Sequence, residues 1–148
     1  MTKFLIPFFA LTVLMVGCSL NHYVSHNDYQ GVENKIKNGA DLDKYYGQWT
    51  SLMTASYYNH LKVAECLVNG GANIDLQTRR FLIRNSYPGF TALHFTAYYG
   101  HTGIAKILID NGANLYIQDN KGYTAYDYAR QYNFTDIVEY IEETKDSN

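Results

Sequence analysis

The chain has 148 residues, a formal net charge of −2 and an aromatic content of 16%, which includes 15 tyrosines and one tryptophan. This length allows one domain with a modest core, and the slightly acidic balance argues against a nucleic-acid partner. Cys18 ends the apolar N-terminal segment, whereas Cys66 lies within the domain, so an internal disulfide framework is not indicated.

The first element in chain order is a leader. Lys3 gives a short positive start, and the 13-residue apolar run from Phe4 to Val16 falls short of the ~20 residues that span a bilayer. The run ends in Leu14-Met15-Val16-Gly17-Cys18-Ser19, which resembles the lipobox of bacterial lipoproteins. An ordinary secretory leader cleaved nearby, or a buried apolar helix, are the alternatives.

The lipobox resemblance implies a processed and anchored protein. Residues 1–17 would be removed as a signal peptide, and residues 18–148 would form a domain anchored by an acylated Cys18. Several acyl chains make a lasting anchor, whereas one chain binds only marginally. The sorting pattern of this family also depends on the residue after the cysteine. Here that residue is Ser19 and not Asp, so the expected location is the outer membrane of the bacterial envelope, facing the periplasm.

Three segments with a shared pattern follow, each beginning at a threonine: Thr50 to Ala55, Thr91 to Ala97 and Thr124 to Ala129. Each precedes a second apolar stretch, at residues 63–68, 104–109 and 137–141. Gly71-Ala72-Asn73 and Gly112-Ala113-Asn114 close the first two of these units, and Gly39-Ala40-Asp41 supplies an earlier copy. The 33-residue distance from Thr91 to Thr124 indicates a repeat protein.

The repeat resembles the ankyrin repeat over about residues 20–143, because its period and the Thr91-Ala92-Leu93-His94 segment match that family's pattern. The resemblance implies an all-α solenoid of about four helix-turn-helix units with short hairpin fingers and atypical capping units at both ends. Turns are expected at Asn59-His60 and Gly100-His101, and the glycines are expected to end the second helices. Stacking of neighbouring units would bury the apolar side chains that a single unit cannot bury alone.

One interval is longer than the others. Thr50 and Thr91 are 41 residues apart, eight more than the standard repeat, and the extra residues fall around 77–89. Insertions in repeat arrays map to loops on one face, often the binding face. Arg79, Arg80 and Arg84 in this segment favour contact with an acidic patch on a partner, and a tolerated long loop is the alternative.

The aromatic residues concentrate where the family meets its partners, in the fingers before each threonine and at the exposed end of each first helix. Ten of the twelve positions compared are aromatic, where an overall content of 16% would place about two. Large rigid rings with a polar handle dominate binding hot spots. Some rings, Tyr98 and Tyr132 in particular, could instead pack between units. The predicted partner-binding residues are Tyr46, Trp49, Tyr57, Tyr58, Tyr87, Phe90, Tyr98, Tyr99, Tyr123 and Tyr132, together with Arg79, Arg80 and Arg84.

The residues that could carry chemistry are the histidines, the cysteine and the acids. The five histidines lack partners at metal-ligand spacing, so neither a metal nor another cofactor is expected. His94 is expected to stiffen its loop by hydrogen bonds, as are His60 and His101, and Cys66 is expected to be a core thiol. Asp75 and Asp119 are interpreted as turn residues, and no enzyme site is predicted.

The leading hypothesis is a membrane-tethered module that binds and neutralises a protein partner. Small envelope ankyrin lipoproteins of this design resemble immunity proteins, which block an antibacterial effector such as a lipase. An inhibitor of the cell's own enzyme, an envelope scaffold and a purely structural protein are the alternatives.

Overall fold

The computed structural model describes residues 19–79, 87 and 89–146. Cys18, Arg80 and Arg84 therefore lie outside the described residues, as do the leader and most of the insertion. Within the described part the secondary structure is eight helices without an extended strand. They are α1 (Leu20–Ser25), α2 (Tyr29–Lys37), α3 (Ser51–Tyr57), α4 (Leu61–Asn69), α5 (Ala92–Tyr99), α6 (Thr102–Asp110), α7 (Ala125–Gln131) and α8 (Thr135–Asp146).

The eight helices form four antiparallel pairs that stack in two layers. The first helices, α1, α3, α5 and α7, pack on one another in one layer, and the second helices, α2, α4, α6 and α8, do so in the other. A continuous core of fully buried side chains lies between the layers, including Leu52, Leu67, Phe95, Ile104 and Ile137. The predicted all-α solenoid of four units is confirmed.

Each first helix of the three later units begins at its threonine. Thr50, Thr91 and Thr124 have extended backbones, and each hydroxyl accepts a hydrogen bond from the backbone N–H three residues on, at 3.3–3.4 Å. This satisfies a donor that the first turn of a helix would leave unpaired. The repeated threonine is thus the local signal that starts each unit.

The turns between paired helices occupy the same position in every unit. Asn27, Asn59, Gly100 and Asn133 all have left-handed backbones, with φ between 55° and 75°. Asparagine and glycine are the residues that tolerate this region best. The turns predicted at Asn59 and Gly100 are therefore confirmed, and the turns of the other two units also contain a left-handed residue.

Aspartates link the first unit to the second and the second unit to the third, on the side of the second helices. Asp43 Oδ1 accepts a hydrogen bond from the backbone N–H of Asn73 at 2.8 Å, and Asp75 Oδ1 accepts one from Asn114 at 2.9 Å. The bond is repeated one unit along the stack. The interpretation of Asp75 as a turn residue is confirmed, and its carboxylate also sets the register of neighbouring units.

The position of Cys66 differs from the prediction. Val63, Ala64, Leu67 and Val68 form the buried stripe of α4, and Cys66 falls beside this stripe, where it is only half-buried. Burial and then the nearby Glu33 carboxylate raise the pKa of its thiol. Cys66 is therefore a neutral thiol at the edge of the core. Among the described helices none is long and apolar enough to cross a membrane.

Candidate protein-binding surface

Two of the predicted fingers are short turns closed by backbone hydrogen bonds. Tyr46 N–H donates to Trp49 O at 2.8 Å, and Asp119 N–H donates to Tyr123 O at 2.9 Å. Gly47 and Gly122 take the left-handed conformations in these turns, with φ of 70° and 84°. The fingers therefore hold Trp49 and Tyr123 directly in front of α3 and α7.

The base of the insertion closes like a third finger. Thr78 N–H donates to Phe90 O at 2.7 Å, and Phe90 N–H donates to the Thr78 hydroxyl at 3.0 Å. The side-chain amide of Gln77 donates to Gly89 O at 2.8 Å and to Gln118 O at 2.9 Å, which joins this base to the next finger. The ends of the insertion are thus fixed although the repeat is interrupted there.

Gly89 shows how tightly this base packs. Its φ is +83°, and a Cβ at this position would lie 2.7 Å from Asn120 Oδ1 and 2.9 Å from Asn120 N. Both the backbone conformation and the close approach require glycine. The insertion is therefore anchored against the neighbouring finger at a specific point.

Arg79 is exposed at the first residue beyond this base. Its guanidinium lies 3.8 Å from the centroid of the Tyr45 ring, and its backbone N–H donates to Gln48 O at 3.1 Å. Tyr45 OH in turn donates to Gln77 O at 2.7 Å. The stacked cation keeps its charge at the surface, where it is held beside the first finger.

A continuous group of rings, here called the aromatic face, runs across the three later units. Trp49 contacts Tyr57 at a centroid distance of 4.9 Å, and Tyr57 contacts Tyr99 at 5.1 Å. Tyr98 contacts both Tyr99 and Tyr132 at 4.9 Å. Tyr58 and Tyr87 adjoin this line, and Tyr123 joins it through Tyr128. The aromatic face comprises Trp49, Tyr57, Tyr58, Tyr87, Tyr98, Tyr99, Tyr123 and Tyr132.

Successive units are linked by diagonal tyrosine pairs. Two adjacent positions at the C-terminal end of each first helix form these pairs. The tyrosine at the first position of one unit contacts the tyrosine at the second position of the next unit, so that Tyr57 contacts Tyr99 and Tyr98 contacts Tyr132. Tyr87 OH is also hydrogen-bonded to Tyr99 OH at 2.5 Å. The series ends at the last unit because Gln131 replaces the first tyrosine there.

Contacts within the aromatic face raise the pKa of two of its phenols, Tyr99 and Tyr132. Burial, followed by hydrogen bonds with Tyr87 and Tyr57, raises the pKa of Tyr99. A hydrogen bond with Tyr98, followed by burial, raises the pKa of Tyr132. The face therefore offers apolar ring area and uncharged hydroxyl groups to a partner.

The aromatic face rests on a buried ring. Phe95 is fully buried, and its centroid lies 5.0 Å from Trp49 and 5.3 Å from Tyr87. Phe90, predicted to meet a partner, is only 3% exposed because its ring packs between Phe95 and Tyr128. Phe90 therefore supports the face from beneath and does not form part of its surface.

The other predicted residues differ in exposure. Tyr58, Tyr123 and Tyr132 are 53%, 48% and 40% exposed. Tyr46 is half-buried on the first finger, where Lys44 Nζ lies 5.8 Å from its ring centroid. It is not a member of the aromatic face. The contact between Tyr98 and Tyr132 matches the alternative that these two rings pack between units. The half-buried members of the aromatic face are Trp49, Tyr57, Tyr87, Tyr98 and Tyr99.

Two residues that hold the face together, Phe95 and Tyr128, were missed by the sequence reasoning. Tyr128 is buried, and its hydroxyl donates to Asp119 Oδ2 at 2.6 Å. Asp119 Oδ1 also accepts from the backbone N–H groups of Lys121 and Tyr123, which confirms it as a turn residue. Both missed rings stand four residues after a repeat threonine, and this shared position is the signal that could have found them.

Two histidines hold the loops beside the face. His94 Nδ1 accepts from Thr91 N–H at 3.2 Å, and its Nε2 then donates to Tyr123 O at 3.1 Å. His101 Nε2 lies 3.2 Å from Tyr57 O. Burial lowers the pKa of both histidines. Their structural roles are confirmed.

His60 departs from the prediction. Its buried Nε2 has no hydrogen-bond partner in the part of the chain that the structure describes, while its ring stacks on Tyr58 at 5.7 Å. Stacking therefore takes the place of the predicted hydrogen bond. No group of three metal-ligating side chains occurs within 19–79, 87 and 89–146.

The fold and this surface define a helical repeat module. Comparison with known families gives the same result: residues 47–79 match the family described as Ankyrin repeat, and residues 82–129 match Ankyrin repeats (many copies). The two matches together cover more than half of the chain, which belongs to the ankyrin-repeat proteins. Such proteins are generally non-enzymatic modules for protein interaction. No curated protein matches the chain.

Proposed function

We propose that this chain is tethered through an acylated Cys18 to the bacterial outer membrane, facing the periplasm, where its aromatic face binds and neutralises a protein partner. The continuous aromatic face is the observation that carries the proposal. It joins three units, it is uncharged, and it exposes Tyr58, Tyr123 and Tyr132. Tyrosine and tryptophan supply contact area at low entropic cost.

Neutralisation would occur by occlusion. The rings are already packed on Phe95 and on one another, so binding would require little change of shape. Arg79 beside the first finger, with Arg80 and Arg84 further along the insertion, would suit an acidic rim on the partner. The resemblance to envelope ankyrin lipoproteins favours an antibacterial effector enzyme such as a lipase as this partner, which would make the chain an immunity protein.

The test is a co-purification from competing bacterial strains with the tagged full chain. The first variant combines Tyr58→Ala, Tyr123→Ala and Tyr132→Ala. The matched control combines Tyr29→Ala and Tyr116→Ala, which lie outside the aromatic face and are 42% and 70% exposed. If two substituted rings each contribute about 2 kcal/mol, the first variant loses on the order of 1,000-fold in affinity.

The expected result is one toxin-like enzyme that is retained by the native chain and the control, lost by the first variant, and inhibited by the native chain in an activity assay. Equal retention by all three proteins would overturn the role of the aromatic face. Retention of resident envelope-assembly proteins without inhibition would favour the scaffold alternative.

A further inference from the structure

The folded domain begins almost at the proposed lipid attachment site. Helix α1 starts at Leu20, whose side chain is 3% exposed and packs in the core. Ser19 alone separates it from Cys18. Two extended residues reach at most about 7 Å, and the headgroup layer on each side of a bilayer is about 5–7 Å thick. An acylated Cys18 therefore leaves no length for a flexible linker.

We propose that the first unit, α1 with α2, docks directly on phospholipid headgroups and holds the domain on the membrane in one orientation. This inference rests on the acyl tether of the proposed function. It adds an interaction surface to that function, namely the outer side of the first unit, and it names a phospholipid membrane as the occupant.

The outer side of the first unit has the chemistry of a headgroup contact. Helices α1 and α2 pack against each other and against α3 and α4 on their inner side. On the unit's surface lies an open cavity of about 540 Å³ whose lining includes Asp28, Gln30, Asn34, Lys35 and Asn38. Amides, an ammonium and a carboxylate can pair with the phosphate and the ammonium of phosphatidylethanolamine.

Charge alone would not hold this unit on a membrane. Between residues 19 and 38 the chain carries two lysines and two carboxylates, and Lys37 is paired with Glu33 at 3.0 Å. Attraction to anionic lipid needs an excess of basic residues. The contact is therefore imposed by the short tether, and it should persist at high salt.

The arrangement leaves the aromatic face free. That face begins at Trp49 in the second unit and ends at Tyr132 in the last. The first unit contributes no ring to it. Docking the first unit would therefore present the partner-binding surface beside the membrane without covering it.

Two asparagines provide matched probes. Asn38 and Asn111 each follow a second helix, both are exposed, and each side-chain amide donates to a backbone oxygen four residues earlier, at 2.7 and 2.8 Å. In a Cys66→Ser background, Asn38→Cys or Asn111→Cys would carry a fluorophore. The acylated full chain would be placed in vesicles of phosphatidylethanolamine and phosphatidylglycerol that contain a headgroup-spin-labelled lipid.

We expect quenching to be several-fold stronger at position 38 than at position 111, and equal in low and high salt. A 12-residue Gly-Ser insertion between Ser19 and Leu20 adds a reach of about 17–21 Å and should remove the difference. Mass spectrometry of Cys18 is the control for the tether. An unacylated Cys18 would overturn both the tether and the docking. Equal quenching at the two sites of an acylated chain would overturn the docking alone.

Discussion

The substitution Phe95→Ala tests whether the aromatic face depends on the core beneath it. Phe95 is fully buried, and four rings of the face or its support lie within 5.9 Å of its centroid: Trp49, Tyr57, Tyr87 and Phe90. Removing a buried phenylalanine ring costs about 3–5 kcal/mol, because both its transfer free energy and its packing are lost. That is a large part of the ~5–15 kcal/mol that stabilises a typical domain.

Trp49 makes the test direct because it is the one tryptophan in the chain. Urea unfolding followed by its emission should show a midpoint lowered by about 2 M, since m is about 1–3 kcal/mol/M for small proteins. The folded variant should also emit at longer wavelength, because the Phe95 ring 5.0 Å away no longer shields the indole.

Two further variants control the Phe95 measurement. Phe95→Leu keeps most of the volume and should cost less than about 1.5 kcal/mol. Tyr58→Ala, at an exposed position, should change the free energy of unfolding by about 0.5 kcal/mol or less. A loss under about 1 kcal/mol for Phe95→Ala, with unchanged emission, would show that the face does not rest on this ring.

Two other outcomes follow from local geometry and titration. Gly100→Ala should lower the free energy of unfolding by about 2–5 kcal/mol, since φ is +75° and a Cβ would lie 2.4 Å from the Phe134 ring. The control Gly112→Ala, with φ of +84° and no neighbour within 4 Å, should cost about 1–2 kcal/mol. Equal losses for the two variants in urea unfolding would contradict the clash with Phe134. Because burial lowers the pKa of His94 below 6.5, the unfolded chain binds the proton first, so stability should fall as pH drops through 6.5. His94→Gln should make the urea midpoint less dependent on pH between 7.5 and 5.5, and the remaining dependence should come from His101, whose pKa is also lowered by burial. An unchanged pH dependence in His94→Gln would refute this.

The architecture was predictable because its signals are local. The threonine that starts the first helix of each of the three later units, the left-handed residue in each turn and the glycine after each of the first three second helices act within a few residues. Their recurrence in the sequence marks the units, and stacking follows because one unit cannot bury its apolar side chains alone. The stacked units and the turns at Asn59 and Gly100 therefore follow from the amino-acid pattern alone.

The exposure of the aromatic residues was decided by tertiary structure. Trp49, Phe90 and Tyr123 share one repeat position, yet only Phe90 is buried, because its ring packs against both Phe95 and Tyr128. Periodicity alone carries no information on contacts made with the next unit. The diagonal pairs of tyrosines are likewise formed by stacking, since each member lies on a different unit.

Cys66 shows the same division between local pattern and packing. Its place in a repeated apolar stretch predicted a core thiol, but the helix turns its side chain to the edge of the buried stripe. The sequence by itself determined which segments form helices and how many units stack. Only the packed neighbours decided which rings reach solvent, because burial is a property of the surfaces that meet and not of the residue alone.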